Sequence, residues 1–144
     1  GIDLLKGREA IALNQKVVGP YASQGYVRAN PSITGIELRE AMRKRGHTEA
    51  YIIKSDGQFF GKVSIYEVIE AADTTIKDFV DTRPLTLYSH DSLAEAMVRV
   101  SQFVGESLPV VNAETGELHG SLAEGELFQA VIDVQDQARS LERT

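Results

Sequence analysis

The sequence predicts an α+β fold of two β-α-β-β-α units packed pseudo-symmetrically, and three observations carry that prediction. Leu38-Arg39-Glu40-Ala41-Met42 returns as Leu93-Ala94-Glu95-Ala96-Met97. The turn-and-strand stretch Asp56-Gly57-Gln58-Phe59-Phe60-Gly61 is answered by Thr115-Gly116-Glu117-Leu118-His119-Gly120, and residues 63–68 are answered by 122–127. A duplicated order of elements marks architectures in which neighbouring copies bury each other's apolar faces.

Bulk properties bound the rest. A chain of 144 residues can bury one sizeable core, or two small ones that share an interface. The net charge of -6 and pI near 5.1 leave no basic excess for gripping nucleic-acid phosphates. With no cysteine, disulfides, thiolate-bound zinc and thiol nucleophiles are excluded. The longest apolar runs fall far short of the roughly 20 residues that span a bilayer. A leading glycine without an initiator methionine suggests a native chain that extends upstream.

Residues 1–24 read as a connector. They carry the apolar pairs Leu4-Leu5 and Val17-Val18 without a sustained period, which suggests an irregular segment docked on the body. The first unit spans 25–72. Its opening strand, 25–29, ends at Asn30-Pro31, because proline disfavours helix in the residue before it. Thr34 and Glu37 have the spacing of a capping box at a helix start. Ile36, Leu38, Ala41 and Met42 mark one apolar face of that helix. Gly46 is its stop, after Arg43, Lys44 and Arg45, whose charges complement the helix dipole. Strands 50–54 and 58–63 form a hairpin around Asp56-Gly57. Ser64 and Glu67 then repeat the capping spacing ahead of Val68, Ile69 and Ala71.

Residues 73–84 bridge the units, with Ile76, Phe79 and Val80 spaced as a short helical turn. The second unit spans 85–144. It opens with a strand at 85–88, after which Asp91 and Ser92 compete as helix cap and Glu95 completes the box. Leu93, Ala96, Met97, Val100 and Val104 trace the helical face. Strands 108–112 and 117–122 form the second hairpin. A last helix starts near Glu124, where Leu127, Phe128, Val131, Ile132 and Gln135 keep the period before a polar tail at 136–144. Glu40 and Glu95 lie 55 positions apart, whereas Gly61 and Gly120 lie 59 apart. The extra residues fall around Gly105-Glu106-Ser107 and in the turn at 113–116, where insertions are tolerated.

Nothing in the pattern points to an enzyme or a metal site. His47, His90 and His119 sit at a helix end, a cap and a hairpin, with no spacing that converges two of them with a carboxylate. Nucleophile-elbow, P-loop and dinucleotide-binding patterns are all missing from the sequence.

Leu108-Pro109-Val110-Val111-Asn112, a glycine-containing turn, Leu118, Gly120-Ser121-Leu122 and an acidic helix start resemble the cystathionine-beta-synthase (CBS) domain. The duplication is similar to the tandem CBS pair, or Bateman module. That resemblance implies a non-catalytic regulatory and dimerisation domain, with adenine nucleotide sensed in clefts between the repeats and no cofactor required. It places the ribose-binding signature (glycine, two apolar residues, Ser or Thr, two residues, Asp) on Gly61-Lys62-Val63-Ser64-Ile65-Tyr66-Glu67 and on Gly120-Ser121-Leu122-Ala123-Glu124-Gly125-Glu126. Both copies depart from it. Glu67 and Glu126 move the carboxylate outward by one methylene, roughly 1.5 Å, and Ala123 removes the hydroxyl. Ser64 and Glu67 are also sufficient as a capping box, worth about 1 kcal/mol for the cap.

The resemblance further implies that Val27, Arg28, Tyr51, Leu87, Tyr88 and Pro109 belong with Ser64, Glu67 and Glu126 to the nucleotide sites. Pro109 reads equally as a strand-start proline. Arg28, Lys62 and His47 are the cations available to a phosphate, whereas Glu49, Glu106 and Glu124 oppose polyphosphate. An adenosine- or AMP-like ligand is therefore favoured over ATP. The opening Gly1-Ile2-Asp3-Leu4-Leu5-Lys6-Gly7-Arg8-Glu9 resembles the connector that leaves the last membrane helix of ClC-family chloride channels and transporters. This implies a homodimeric module on the cytoplasmic face of the membrane, with a transport domain upstream. The competing readings are an assembly module with degenerate, ligand-free clefts, and a CBS nucleotide sensor of another transporter or a free-standing protein.

Overall fold

The computed structural model describes residues 4–103 and 105–142. Val104 and Gly1-Ile2-Asp3 of the opening motif lie outside them. The chain runs α1 (Leu4–Gln15), β1 (Val27–Ala29), α2 (Gly35–Arg45), β2 (Glu49–Ile53), β3 (Phe59–Ser64) and α3 (Ile65–Ala71). It continues through β4 (Leu87–Tyr88), α4 (Leu93–Val100), β5 (Leu108–Val111), β6 (Leu118–Leu122) and α5 (Glu124–Glu142), with 3-10 turns at Gly19–Tyr21 and Ile76–Phe79. Two three-stranded sheets result, β1-β2-β3 and β4-β5-β6. In each, a parallel pair is followed by an antiparallel hairpin, with a register shift at Ile52/Ile53 in one and at Val110/Val111 in the other. The predicted α+β duplication is thus reproduced down to its bulge.

Local chemistry sets most of the boundaries. Thr34 and Glu37 form the full reciprocal capping box, and Gly46 closes α2 in the left-handed conformation. At α4, Ser92 is the cap: its hydroxyl accepts from the Glu95 amide at 3.1 Å, while Asp91 accepts from the Tyr88 amide at 2.8 Å. Each unit has its own core. Val27, Leu38, Met42, Ile52, Val63 and Val68 fill one, and Leu87, Leu93, Ala96, Leu108, Leu122 and Leu127 dominate the other. A third cluster of Tyr26, Tyr51, Ile53, Phe59 and Leu118 joins the two units.

Three expectations are corrected. Residues 4–15 of the supposed irregular connector are helical, because α1 packs on α4 and α5 with Ala12 and Leu13 against the second core. The supposed polar tail is helical to Glu142: Ala138 is buried, and Arg139 Nε lies 2.7 Å from Glu9 Oε1. Ile36, Ile69, Phe128 and Ile132 keep the helical period yet remain exposed, since the apolar stripe is wider than the surface that covers it.

The units are exchanged at their entries. Ser23, ahead of the first unit, bridges to Ser121 on β6, and Asp81, ahead of the second, bridges to Lys62 on β3. Glycine permits both approaches. A Cβ on Gly61 would meet the Asp81 carbonyl oxygen at 2.3 Å, and one on Gly120 would meet the Ser23 carbonyl oxygen at 2.8 Å.

Candidate functional site: two clefts between the units

The crossed entry segments create two related clefts. In the first, the β3–α3 junction presents Ser64 and Glu67, and the bridge contributes Asp81, Pro84 and Leu85, around a cavity of about 330 Å³. In the second, the β6–α5 junction presents Ser121, Ala123 and Glu126, and the first unit contributes Tyr26, His47 and Tyr51, around only about 120 Å³. Glu49 lines both.

The Ser64–Glu67 spacing does not produce the expected capping box. The Ser64 hydroxyl makes no cap hydrogen bond and instead donates to Glu67 Oε1 at 2.9 Å. Serine and carboxylate therefore form a coupled polar pair on the cleft wall. In the second cleft, Glu126 Oε1 accepts from the Ala123 amide at 2.9 Å, so its carboxylate serves the start of α5.

Two of the three phosphate-binding candidates, Lys62 and His47, are already engaged. Lys62 Nζ lies 2.9 Å from Glu49 Oε2, donates to the Ser107 carbonyl at 2.7 Å and sits 5.0 Å from the Phe103 ring centroid. His47 Nδ1 is 2.5 Å from Glu106 Oε1. Glu106 Oε2 also accepts from the Thr48 amide at 2.8 Å and the Thr48 hydroxyl at 2.6 Å. Burial works against the Glu106 charge, but the hydrogen bonds from Thr48 and His47 outweigh it and hold this carboxyl below its usual range. Glu49 Oε1 accepts from the amides of Glu106 and Ser107 at 2.9 and 3.1 Å. Two glutamates thereby fasten the loop before β5 onto the start of β2.

Aromatic side chains occupy the space beside that loop. Tyr51 is 1% exposed, its hydroxyl lies 2.5 Å from Ser107 Oγ, and its ring stands 5.1 Å from Tyr26 and 6.1 Å from Phe59. Burial pushes the Tyr51 phenol well above the ordinary tyrosine value, against the Ser107 hydrogen bond and with help from the charges of Glu49 and Glu106.

The remaining sequence-derived residues are placed elsewhere. Val27 and Leu87 line neither cleft because they are packed into the two cores, and Pro109 is a buried strand residue that also lines neither. Arg28 is exposed and lines neither cleft, and Tyr88 lines a separate groove. Glu124 is also exposed and lines neither cleft. The sequence reading missed Tyr26, Phe103, Pro84 and Leu85. Their signal is indirect: a glycine inside each returning strand, Gly61 and Gly120, marks where a foreign segment comes close.

Against known proteins, residues 76–133 match the CBS domain family model. No curated protein matches the chain. Among solved structures, CBSX2 from Arabidopsis thaliana in complex with AMP is 20% identical with a TM-score of 0.71, covering 83% of this chain and 98% of that one. The cytosolic domain of the Mg2+ channel MgtE in complex with ATP is 19% identical with a TM-score of 0.71, covering 89% of this chain and 55% of that one. CbpB in complex with c-di-AMP is 13% identical with a TM-score of 0.77, covering 96% of this chain and 99% of that one. The chain has the fold of these proteins, a CBS pair.

Proposed function

We propose that this CBS pair is a non-catalytic regulatory module that senses an adenosine- or AMP-like ligand in the cleft beside Ser64 and Glu67. One observation carries the reading: that cleft offers about 330 Å³, the lower end of small-molecule sites, whereas its counterpart offers about 120 Å³ and is filled by tyrosines. Its wall combines a hydroxyl–carboxylate pair from the first unit with Pro84 and Leu85 from the bridge into the second. Such a ligand would contact both units, and it shifts their arrangement only as far as its affinity for two arrangements differs. Glu49, Glu67 and Asp81 face the same space and Lys62 is spent on Glu49, which disfavours polyphosphate. The AMP complex of CBSX2 supports the ligand class.

The parent we propose is a ClC-type chloride channel or transporter. The opening motif supports that choice, and MgtE supports membrane transport more broadly. Among the described residues no helix is long and apolar enough to cross a membrane, so transport would belong to another part of such a protein. Exposed Tyr66 and Ile69 on α3 and Phe128 and Ile132 on α5 supply apolar surface for a homodimer on the cytoplasmic side. Sedimentation at several concentrations tests that dimer, and a concentration-independent monomer overturns it.

Thermal unfolding with AMP, ADP and ATP tests the sensor. AMP at 100 times Kd should add about 2.7 kcal/mol, a rise of several degrees, and Glu67→Ala should abolish the rise. The absence of a shift with any of the three overturns nucleotide sensing. It would favour a structural assembly module, the reading that the self-filled second cleft and the engaged Lys62 support.

A further inference from the structure

A third cavity, larger than either cleft at about 630 Å³, lies where the bridge passes the turn ends of the two hairpins. Its wall is assembled from Arg83 on the bridge, Phe60 on β3, Tyr88 on β4, Arg99 on α4 and Asn112 after β5. In a chain of net charge -6, none of the described residues lining it is acidic. Both inter-unit clefts show the opposite balance, with three carboxylates each.

The polar groups here differ in how far they are committed. Arg99 is held in place: its guanidinium donates to the Thr86 carbonyl, lies 5.7 Å from the Tyr88 ring centroid, and faces Asp91 at 3.9 Å. Asp91 in turn accepts from the Tyr88 amide, and Asp81 Oδ1 accepts from the Arg83 amide at 2.9 Å, so both acids beside the groove are engaged by its backbone. Arg83 is exposed, and its guanidinium has no hydrogen-bond or ion-pair partner among the described residues. The Asn112 side-chain oxygen accepts from the amides of Glu114 and Thr115 at 2.9 and 3.2 Å, which leaves its NH2 group as a donor. A free guanidinium presents a planar fork of N–H groups that fits phosphate oxygens bidentately. Tyr88, 37% exposed, offers a ring face already braced by Arg99.

We propose that this groove is a second ligand site, which takes a small organic anion combining a phosphate group with a planar ring. Arg83 and the Asn112 amide hold the phosphate, and the ring lies among Tyr88 and Phe60. The site stands apart from the nucleotide cleft and does not depend on it. The two share only Pro84 and Leu85, so the bridge is their common wall.

Phenyl phosphate tests the site, since it has the phosphate and the ring but no ribose for Glu67. Titrated into the 15N-labelled chain, it should shift the amides of Arg83, Thr86 and Tyr88 saturably. Arg83→Gln should weaken it at least tenfold with the amide spectrum otherwise unchanged, because the Arg83 side chain supports nothing else in the fold. Glu67→Ala should leave it unaffected while removing the AMP response of the cleft. Inorganic phosphate should bind at least tenfold more weakly than phenyl phosphate. The proposal is overturned by the absence of saturable shifts at those amides, by unchanged affinity in Arg83→Gln, or by equal affinity for inorganic phosphate.

Discussion

Glu106 joins the two units with a single carboxylate. It accepts from His47 and from both donors of Thr48, all on the other unit, and its carboxyl is held below the ordinary range. A carboxyl depressed in the folded state contributes stability above its unfolded pKa, about 4.3, and loses it as pH falls through the folded value. Glu106→Gln should cost about 1 kcal/mol at neutral pH, modest because the side chain is one-third exposed. The gap between wild type and variant should close as pH falls below about 4. Urea midpoints at pH 7 and pH 3.5 measure both values, and a gap that persists unchanged in acid would contradict the assignment.

At the scale of elements, the mid-strand glycines decide how the units interlock. On β3, Gly61 lets the bridge lie close enough for Lys62 and Asp81 to exchange backbone hydrogen bonds at 3.0 and 2.9 Å. Gly61→Ala must push backbone rather than a flexible side chain, and should destabilise by about 2 kcal/mol or more. Gly125, inside the first turn of α5, has open space where the methyl group of an alanine would sit. Gly125→Ala should therefore stabilise by up to about 1 kcal/mol, through helix propensity alone. Denaturant midpoints of the two variants should move in opposite directions. Helix α1 shows a different rule at this scale. Ile11 is exposed while Ala12 and Leu13 pack inward, so its apolar residues form no single clean stripe, and docking against α4 and α5 stabilises it.

Across the whole molecule, the crossed entries and the shared Tyr26–Tyr51–Phe59–Leu118 cluster leave neither unit complete alone. Unfolding should be one cooperative transition, with far-ultraviolet and near-ultraviolet circular dichroism coinciding. Leu118→Ala should lower the single midpoint without splitting it, and two resolved transitions would show independent units.

The sequence by itself determined the order of elements and its duplication. Caps, turns and periodicity act over a few residues, so Thr34–Glu37, Gly46 and the start of α5 could be read directly, whereas the choice of Ser92 over Asp91 as the cap of α4 could not. It also placed Ser64, Glu67, Tyr51 and Glu126 in a list of site residues that the fold then divides between two unequal clefts. Only the tertiary structure decided that Ser64 pairs with Glu67 instead of capping α3, that Val27 and Leu87 face cores, and that Lys62 is consumed by Glu49. Ser64 and Glu67 are near neighbours in the chain, but the clefts such residues line are built by pairings such as Ser23 with Ser121, 98 positions apart. Pairings over that distance leave no period in the chain, and they are settled by which surfaces remain to be covered once each unit has packed its own core.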